Sequence, residues 1–143
     1  MNRKFISAAL LLFVMMFSFT SCKKDKADVE QENRDLAESA AGTYNVSYLK
    51  YNDNEGNLPS NGVSGKVAIA KSGEDQASMK LTLTNANSTE PPGEADFGNV
   101  DLKKESSAIA LYLGTDKIGT ISGDDLNISI TGGQGELIIR AKK

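Results

Sequence analysis

Apolar and polar side chains alternate along most of the chain after Gly42. Tyr44, Val46 and Tyr48 occupy every second position, with polar residues between them. The same spacing recurs in five more sets: Val67 and Ile69; Met79, Leu81 and Leu83; Ile109, Leu111 and Leu113; Leu126, Ile128 and Ile130; and Leu137, Ile139 and Ala141. Because successive side chains of a strand point to opposite faces, this period predicts strands with one buried face.

Two further segments, residues 95–102 and 117–122, alternate more weakly. In each the apolar phase slips once, near Gly98 and near Gly119, which predicts a β-bulge or a sharp bend. With these two segments the chain has about eight strands, joined by short connections rich in Gly, Asp, Ser and Asn.

The connections between the predicted strands are too short to hold a helix. Parallel strands need a crossover of a dozen or more residues, so the sheet must be antiparallel and mostly paired in sequence order. Closing such a meander into a barrel removes its edges. We therefore expect an all-β fold, a small antiparallel eight-stranded up-and-down barrel, with a two-sheet β-sandwich as the alternative.

One connection is long. Residues 52–62, between the first and second predicted strands, are polar and include Gly56, Pro59 and Gly62. Loops of this length in a small domain are often binding loops or lids. A plain surface excursion is the other interpretation.

The N-terminal segment has the three parts of a secretory signal. Arg3 and Lys4 precede an apolar run at residues 5–19, and two small residues, Thr20 and Ser21, follow it. The run is shorter than the roughly twenty residues that a membrane-spanning helix needs. Residues 23–34 are charged and lack aromatic side chains, which is typical of a tether. Residues 29–41 favour a short helix that Gly42 would end.

Cys22, the only cysteine, cannot form an internal disulfide. The segment Ser21-Cys22-Lys23-Lys24-Asp25 resembles the start of lipoproteins of the Bacteroidota, although Phe19 stands where a lipobox usually has Leu. The resemblance implies that Cys22 carries the lipid and that the protein is anchored in the bacterial cell envelope, at the outer membrane. The predicted organisation is a lipoprotein signal peptide at 1–21, a lipidated charged tether at 22–34 and a barrel domain at 35–143.

Composition excludes several functions. Residues 1–21 carry two of the sixteen basic residues and none of the nineteen acidic ones, so the remainder has a formal charge of −5 (14 − 19). An acidic chain lacks the basic face that nucleic acids require. With no histidine, serine–histidine and cysteine–histidine triads are impossible. We expect a non-enzymatic protein with no cofactor and no metal site.

The opening Gly42-Thr43-Tyr44, the long first loop and the seven further strands resemble the lipocalin/calycin architecture. Lipocalins usually have Gly-x-Trp in the first strand and a late arginine packed over that tryptophan. Here Tyr44 takes the place of the tryptophan, and the resemblance implies that Gly42, Tyr44 and Arg140 close the barrel floor. The chain departs from the family in having no tryptophan.

The resemblance also implies a small, often apolar ligand in the barrel mouth. Tyr48, Tyr51 and Tyr112 are the candidates for lining that mouth, because tyrosine offers both an apolar ring and a hydroxyl. They are otherwise ordinary strand residues. A solid barrel that docks a partner protein, or inhibits an enzyme, is the alternative function.

Overall fold

A computed structural model describes residues 35–143, which form one short helix and nine strands. The predictions on residues 1–34, including the signal peptide, Cys22 and the tether, lie outside the described residues. The elements are α1 (Leu36–Ala40), β1 (Gly42–Tyr51), β2 (Asn54–Asn57), β3 (Val63–Lys71), β4 (Gln76–Asn85), β5 (Gly93–Glu105), β6 (Ala108–Leu113), β7 (Asp116–Ser122), β8 (Asp125–Gly132) and β9 (Gly135–Lys142).

The sheet closes on itself through its first and last strands. From β3 to β9 each strand pairs antiparallel with the next, and β1 pairs with β3 on one edge and with β9 on the other. The closing register runs from Asn45 opposite Lys142 to Tyr51 opposite Leu137. The eight-stranded barrel is thereby confirmed, and the two-sheet sandwich does not form.

Both predicted irregularities are β-bulges. Phe97 is the extra residue in β5, between Asp96 and Gly98, which pair with consecutive residues of β4. Ile118 is the extra residue in β7, between Lys117 and Gly119, which pair with consecutive residues of β6. The inserted residue is what shifts the apolar phase in each strand.

The long first loop contains the additional strand, β2. It folds back on the second half of β1, so that Asn57 lies opposite Tyr48 and Asn54 lies opposite Tyr51. All four residues of β2 are exposed. The sequence therefore has no apolar period at β2, and the prediction of a loop over residues 52–62 was wrong for residues 54–57, which form a strand.

The inward side chains form one continuous apolar core. It contains Tyr44, Val46, Val67, Ile69, Ala77, Met79, Leu81, Val100, Leu102, Leu111, Ile118, Ile121, Leu126, Ile128, Ile139 and Ala141, together with two alanines of α1. Nearly all of the residues predicted from the two-residue period are in this core or packed against it. Burial of this apolar surface is the main force that holds the barrel together.

Helix α1 covers the end of the barrel where β1 begins and β9 ends. Ala37 and Ala40 are fully buried, and the Ala37 amide donates to the Glu74 carbonyl at 3.1 Å. Asp35 caps the helix by accepting from the Glu38 amide at 3.1 Å, and its carboxylate also pairs with Lys71. A five-residue helix is not stable alone, so these contacts with the strands hold it in place.

Tyr44 joins the helix to the barrel. Its ring is fully buried, and its hydroxyl donates to the Ala40 carbonyl at 2.8 Å. Burial, with a smaller effect of the Asp124 carboxylate, raises the pKa of Tyr44 to about 12. Gly42 lies at the same end with φ of 149°, and a β-carbon there would be 2.6 Å from Cε of Lys143. Only glycine combines that backbone angle with that contact.

The cation over Tyr44 is not the predicted one. Nζ of Lys143 lies 5.1 Å from the Tyr44 ring centre, whereas the Arg140 guanidinium lies 5.3 Å from the ring of Tyr48. A β-bulge at Ser47 turns Tyr48 to the outer face, so the prediction that Tyr48 shares a face with Tyr44 and Val46 was wrong. Arg140 lies directly opposite Tyr48 on that outer face, which explains the exchange. Tyr44 points inward, and the cation that contacts its ring is Lys143, the residue that follows β9.

We predict that Tyr44→Phe lowers the free energy of unfolding by about 1–3 kcal/mol, because the buried Ala40 carbonyl loses its donor. The folded pKa, about 12, lies above the ordinary value of 10.0. Ionisation therefore favours the unfolded chain, and the stability present below pH 10 is lost as the pH rises through about 12. Denaturant titrations across this range should show a steeper loss in the wild type than in Tyr44→Phe. Equal slopes would contradict the assignment.

Candidate functional site

The end of the barrel opposite α1 is open and apolar at its rim. Inward positions near the strand ends are only partly buried there: Leu49, Leu83, Ile130 and Leu137. Tyr51 and Leu113 are 52% and 39% exposed. Deeper along the same strands, Ile128 and Ile139 are fully buried among core side chains. The side chains at the open end are therefore apolar and partly exposed, above a buried core.

The barrel wall is split beside this rim. Strands β7 and β8 pair only from Ser122 opposite Asp125 to Gly119 opposite Ile128. Toward the open end β7 continues to pair with β6, and β8 continues to pair with β9. Residues 116–118 and 129–132 therefore face each other without ladder pairing. We call this split the β7–β8 seam.

Two neighbouring residues of β7 explain where the seam begins. A β-carbon at Gly119 would overlap the backbone oxygen of Asn127 and lie 3.1 Å from Cα of Ile128. The last pair of the ladder can therefore close only around a glycine. The bulged Ile118 follows immediately toward the open end, and a bulge bends its strand. β7 thus turns away from β8 directly beyond Gly119.

Two cavities adjoin the seam. One, of about 260 Å³, lies toward the open end and is lined by Leu113, Asp116, Lys117, Ile118, Ser129, Ile130 and Thr131. The other, of about 470 Å³, is lined by Lys117, Ile118, Gly119, Thr120, Asn127, Ile128, Ser129, Ile138, Ile139 and Arg140. The cavities share Lys117, Ile118 and Ser129. The two cavities are therefore adjacent along the seam.

The larger cavity is on the outer face of the wall, and we call it the outer hollow. Alternation of burial along β8 and β9 places Asn127, Ser129, Ile138 and Arg140 outward, opposite to the buried Ile128 and Ile139. Thr120, Asn127 and Arg140 lie directly opposite one another on three consecutive strands. The hollow thus combines a row of hydrogen-bonding side chains with one outward apolar residue, Ile138.

Ion pairs border the hollow on both sides. Lys117 is 2.5 Å from the Glu105 carboxylate, which also accepts from the Tyr112 hydroxyl at 3.0 Å. The hydrogen bond from Lys117 is the main cause of a lowered Glu105 pKa and, in return, of a raised Lys117 pKa. On the other side Lys50 is 2.6 Å from Glu136, and this hydrogen bond raises the Lys50 pKa.

Arg140 differs from these lysines. Among residues 35–143, no carboxylate oxygen lies within 4.0 Å of its guanidinium nitrogens, and its side chain donates no hydrogen bond. Its side chain is exposed, and the guanidinium carbon lies 5.3 Å from the centre of the Tyr48 ring.

The structure does not bring the three candidate tyrosines together. Tyr51 is at the open end. Tyr48 is on the outer face of β1, where its hydroxyl donates to Glu55 at 2.5 Å, and this bond raises the Tyr48 pKa. Tyr112 is on the outer face of β6, with Nζ of Lys103 4.3 Å from its ring centre. The last two tyrosines therefore lie outside the barrel mouth and flank the outer hollow.

Sequence reasoning did not identify the residues that line the outer hollow, such as Asn127, Ser129 and Lys117. Each is an ordinary polar residue on the exposed side of a strand. Two signals did point toward this wall: the slipped phase at Gly119, and Ile138, an apolar residue at a polar position.

Within residues 35–143 no cluster of acidic side chains is arranged to hold a metal ion. No helix in the same range has the length and apolar character that crossing a membrane requires. No protein-family model, curated protein or solved structure matches this chain.

We predict that Gly119→Ala destabilises the protein by about 1–3 kcal/mol, because the added methyl forces β7 away from the β8 backbone. Amide exchange at residues 119–122 should accelerate as the seam lengthens. Gly132→Ala on β8 is the matched control, since a β-carbon there meets nothing within 4 Å. Its effect should stay within about 0.5 kcal/mol. Equal effects of the two variants in denaturant unfolding would contradict the proposed origin of the seam.

Proposed function

We propose that this chain is a lipid-anchored protein of the bacterial cell envelope that binds a small, largely apolar ligand along the β7–β8 seam. The observation that carries the proposal is the pair of adjacent cavities along the seam, of about 470 and 260 Å³. Small-molecule sites commonly occupy about 300–1,000 Å³ and are mostly apolar with a few polar groups. The seam has this size and this mixture.

Apolar surface at the open end supports the proposal. Leu113 is exposed beside Ile118 and Ile130 in the seam. Covering such surface stabilises a complex by about 25 cal/mol per Å² of apolar area removed from water. The packed core below the rim directs a ligand to the seam and the rim, because the interior is already occupied by side chains.

The anchor is proposed from the sequence around Cys22. Attachment there would leave residues 22–34 between the lipid and the barrel. Thirteen residues, even fully extended, reach at most about 45 Å. The barrel would therefore stay close to the bilayer surface, where apolar molecules are concentrated.

Docking of a partner protein is the second candidate function. The filled interior favours it, as does Ile138, an apolar side chain on the outer face of β9. The docking function predicts that small apolar probes do not bind saturably.

A fluorescent apolar probe tests ligand binding. We expect saturable binding by residues 23–143, and an at least tenfold weaker affinity for Leu113→Asp, because a charge in the seam opposes an apolar ligand. Thr43→Asp is the matched control: it adds the same charge at an exposed position of β1 near the closed end and should leave binding unchanged. Binding that is absent, or equally weakened by both variants, would remove the proposal and favour docking.

Anchoring has its own test. We predict that Cys22→Ala moves the protein from the membrane fraction to the soluble fraction of cells, because acyl chains on this residue are the proposed attachment. Mass spectrometry of the wild-type N-terminal peptide should show the acyl groups on Cys22. Unchanged membrane association of Cys22→Ala would refute the anchor without bearing on the ligand.

A further inference from the structure

We propose that the ligand of the seam carries an oxyanion, a carboxylate or a phosphate, at one end, and that Arg140 binds it in the outer hollow. This inference rests on the proposed function and specifies the ligand class. The ligand would be an amphiphile, with its anionic group in the hollow and its apolar part in the seam.

Arg140 lies on the outer face of β9, against the Tyr48 ring. Its guanidinium is 5.3 Å from the ring centre of Tyr48, to which it is directly opposite in the sheet. A cation–π contact uses none of the N–H donors of a guanidinium as hydrogen bonds, and the fork of donors matches the two oxygens of a carboxylate or phosphate. Within residues 35–143 no acidic side chain pairs with it.

The surrounding charges leave Arg140 as the attractive centre. Lys117 and Lys50, on the two sides of the hollow, are each paired with a glutamate, and Lys142, two residues beyond Arg140 on β9, lies directly opposite Asp125. Glu55, on β2, accepts a hydrogen bond from the Tyr48 hydroxyl. Strand β2 lies on the far side of β1 from the hollow. The compensated lysines contribute little net charge, so Arg140 supplies the positive potential at this wall.

Two charged side chains, Asp116 and Arg140, set the orientation of the ligand. Asp116 lines the cavity toward the open end, and its carboxylate disfavours an anion there. Arg140 lines the outer hollow. The anionic group therefore belongs in the hollow, and the remainder of the ligand extends toward the rim.

Side chains beside Arg140 complete the site. Asn127 lies directly opposite Arg140, and Thr120 lies directly opposite Asn127. Directly opposite residues have Cβ atoms about 4.5–5.5 Å apart, so the amide of Asn127 can donate to an oxyanion held by Arg140, whereas Thr120 lies one strand further away. Ile138, two residues along β9, then contacts the first apolar part of the ligand. The rest of the apolar part of the ligand then extends to Ile118, which lines both cavities.

A matched set of ligands tests the inference: decanoate, decanol and decyl phosphate, at neutral pH and below their aggregation concentrations. The protein is residues 23–143, and affinity is measured by calorimetry. We expect decanoate or decyl phosphate to bind at least tenfold more tightly than decanol, and added salt to reduce this difference. The tighter of the two anions identifies whether a carboxylate or a phosphate is the natural group.

Arg140→Met should reduce binding of the anions to the level of decanol while leaving decanol unchanged. Arg140→Lys should restore part of the difference, because a lysine keeps the charge but not the fork of donors. Lys103→Met is the matched control, since Lys103 is also a cation over a tyrosine ring on the outer face but does not line the hollow. It should change neither affinity. Asn127→Asp supplies a second variant: its added charge should weaken only the anions.

The outcomes separate the two proposals. If the anions and decanol bind the wild type equally, the oxyanion site is overturned and the apolar site stands. The same conclusion follows if Arg140→Met and Lys103→Met weaken anion binding equally. If neither anions nor decanol bind, the proposed function fails and the oxyanion site fails with it.

Discussion

The pairing of β1 with β9 is the constraint on which the rest of the structure depends. Without it the meander would have two long edges and a half-exposed apolar face. With it, alternate side chains of eight strands enclose a core that excludes water, and every other residue is turned outward. The register of this pairing also sets the outer contacts, because it places Arg140 opposite Tyr48 rather than near Tyr44.

The two ends of the barrel are built differently. At one end α1, Tyr44 and Lys143 cover the core, and the hydroxyl of Tyr44 satisfies the last carbonyl of the helix. At the other end the wall itself parts, because Gly119 ends the β7–β8 ladder and Ile118 bends β7 away. The closed end supplies stability. The split end leaves apolar side chains and unpaired strand edges accessible, which is where binding is proposed.

Because side chains fill the interior, the wall of the barrel and not its inside offers space for a ligand. A cavity in a barrel core would have been lined by the residues of the two-residue apolar period. The depression found here is instead lined by both phases of three adjacent strands, outward residues such as Asn127 and Arg140 together with inward ones such as Ile128. That mixture of polar and apolar groups suits an amphiphile better than a purely apolar molecule.

The sequence by itself determined eight of the nine strands, the bulges of β5 and β7, the antiparallel order and most of the core, because each follows from the period of neighbouring residues. It could not reveal β2, whose four residues are all polar, nor which cation meets which tyrosine. Only the tertiary structure decided that two of the three tyrosines, Tyr48 and Tyr112, lie outside the barrel, and that the wall opens beyond Gly119. Those features depend on register and on contacts between strands distant in the chain, which local alternation does not encode.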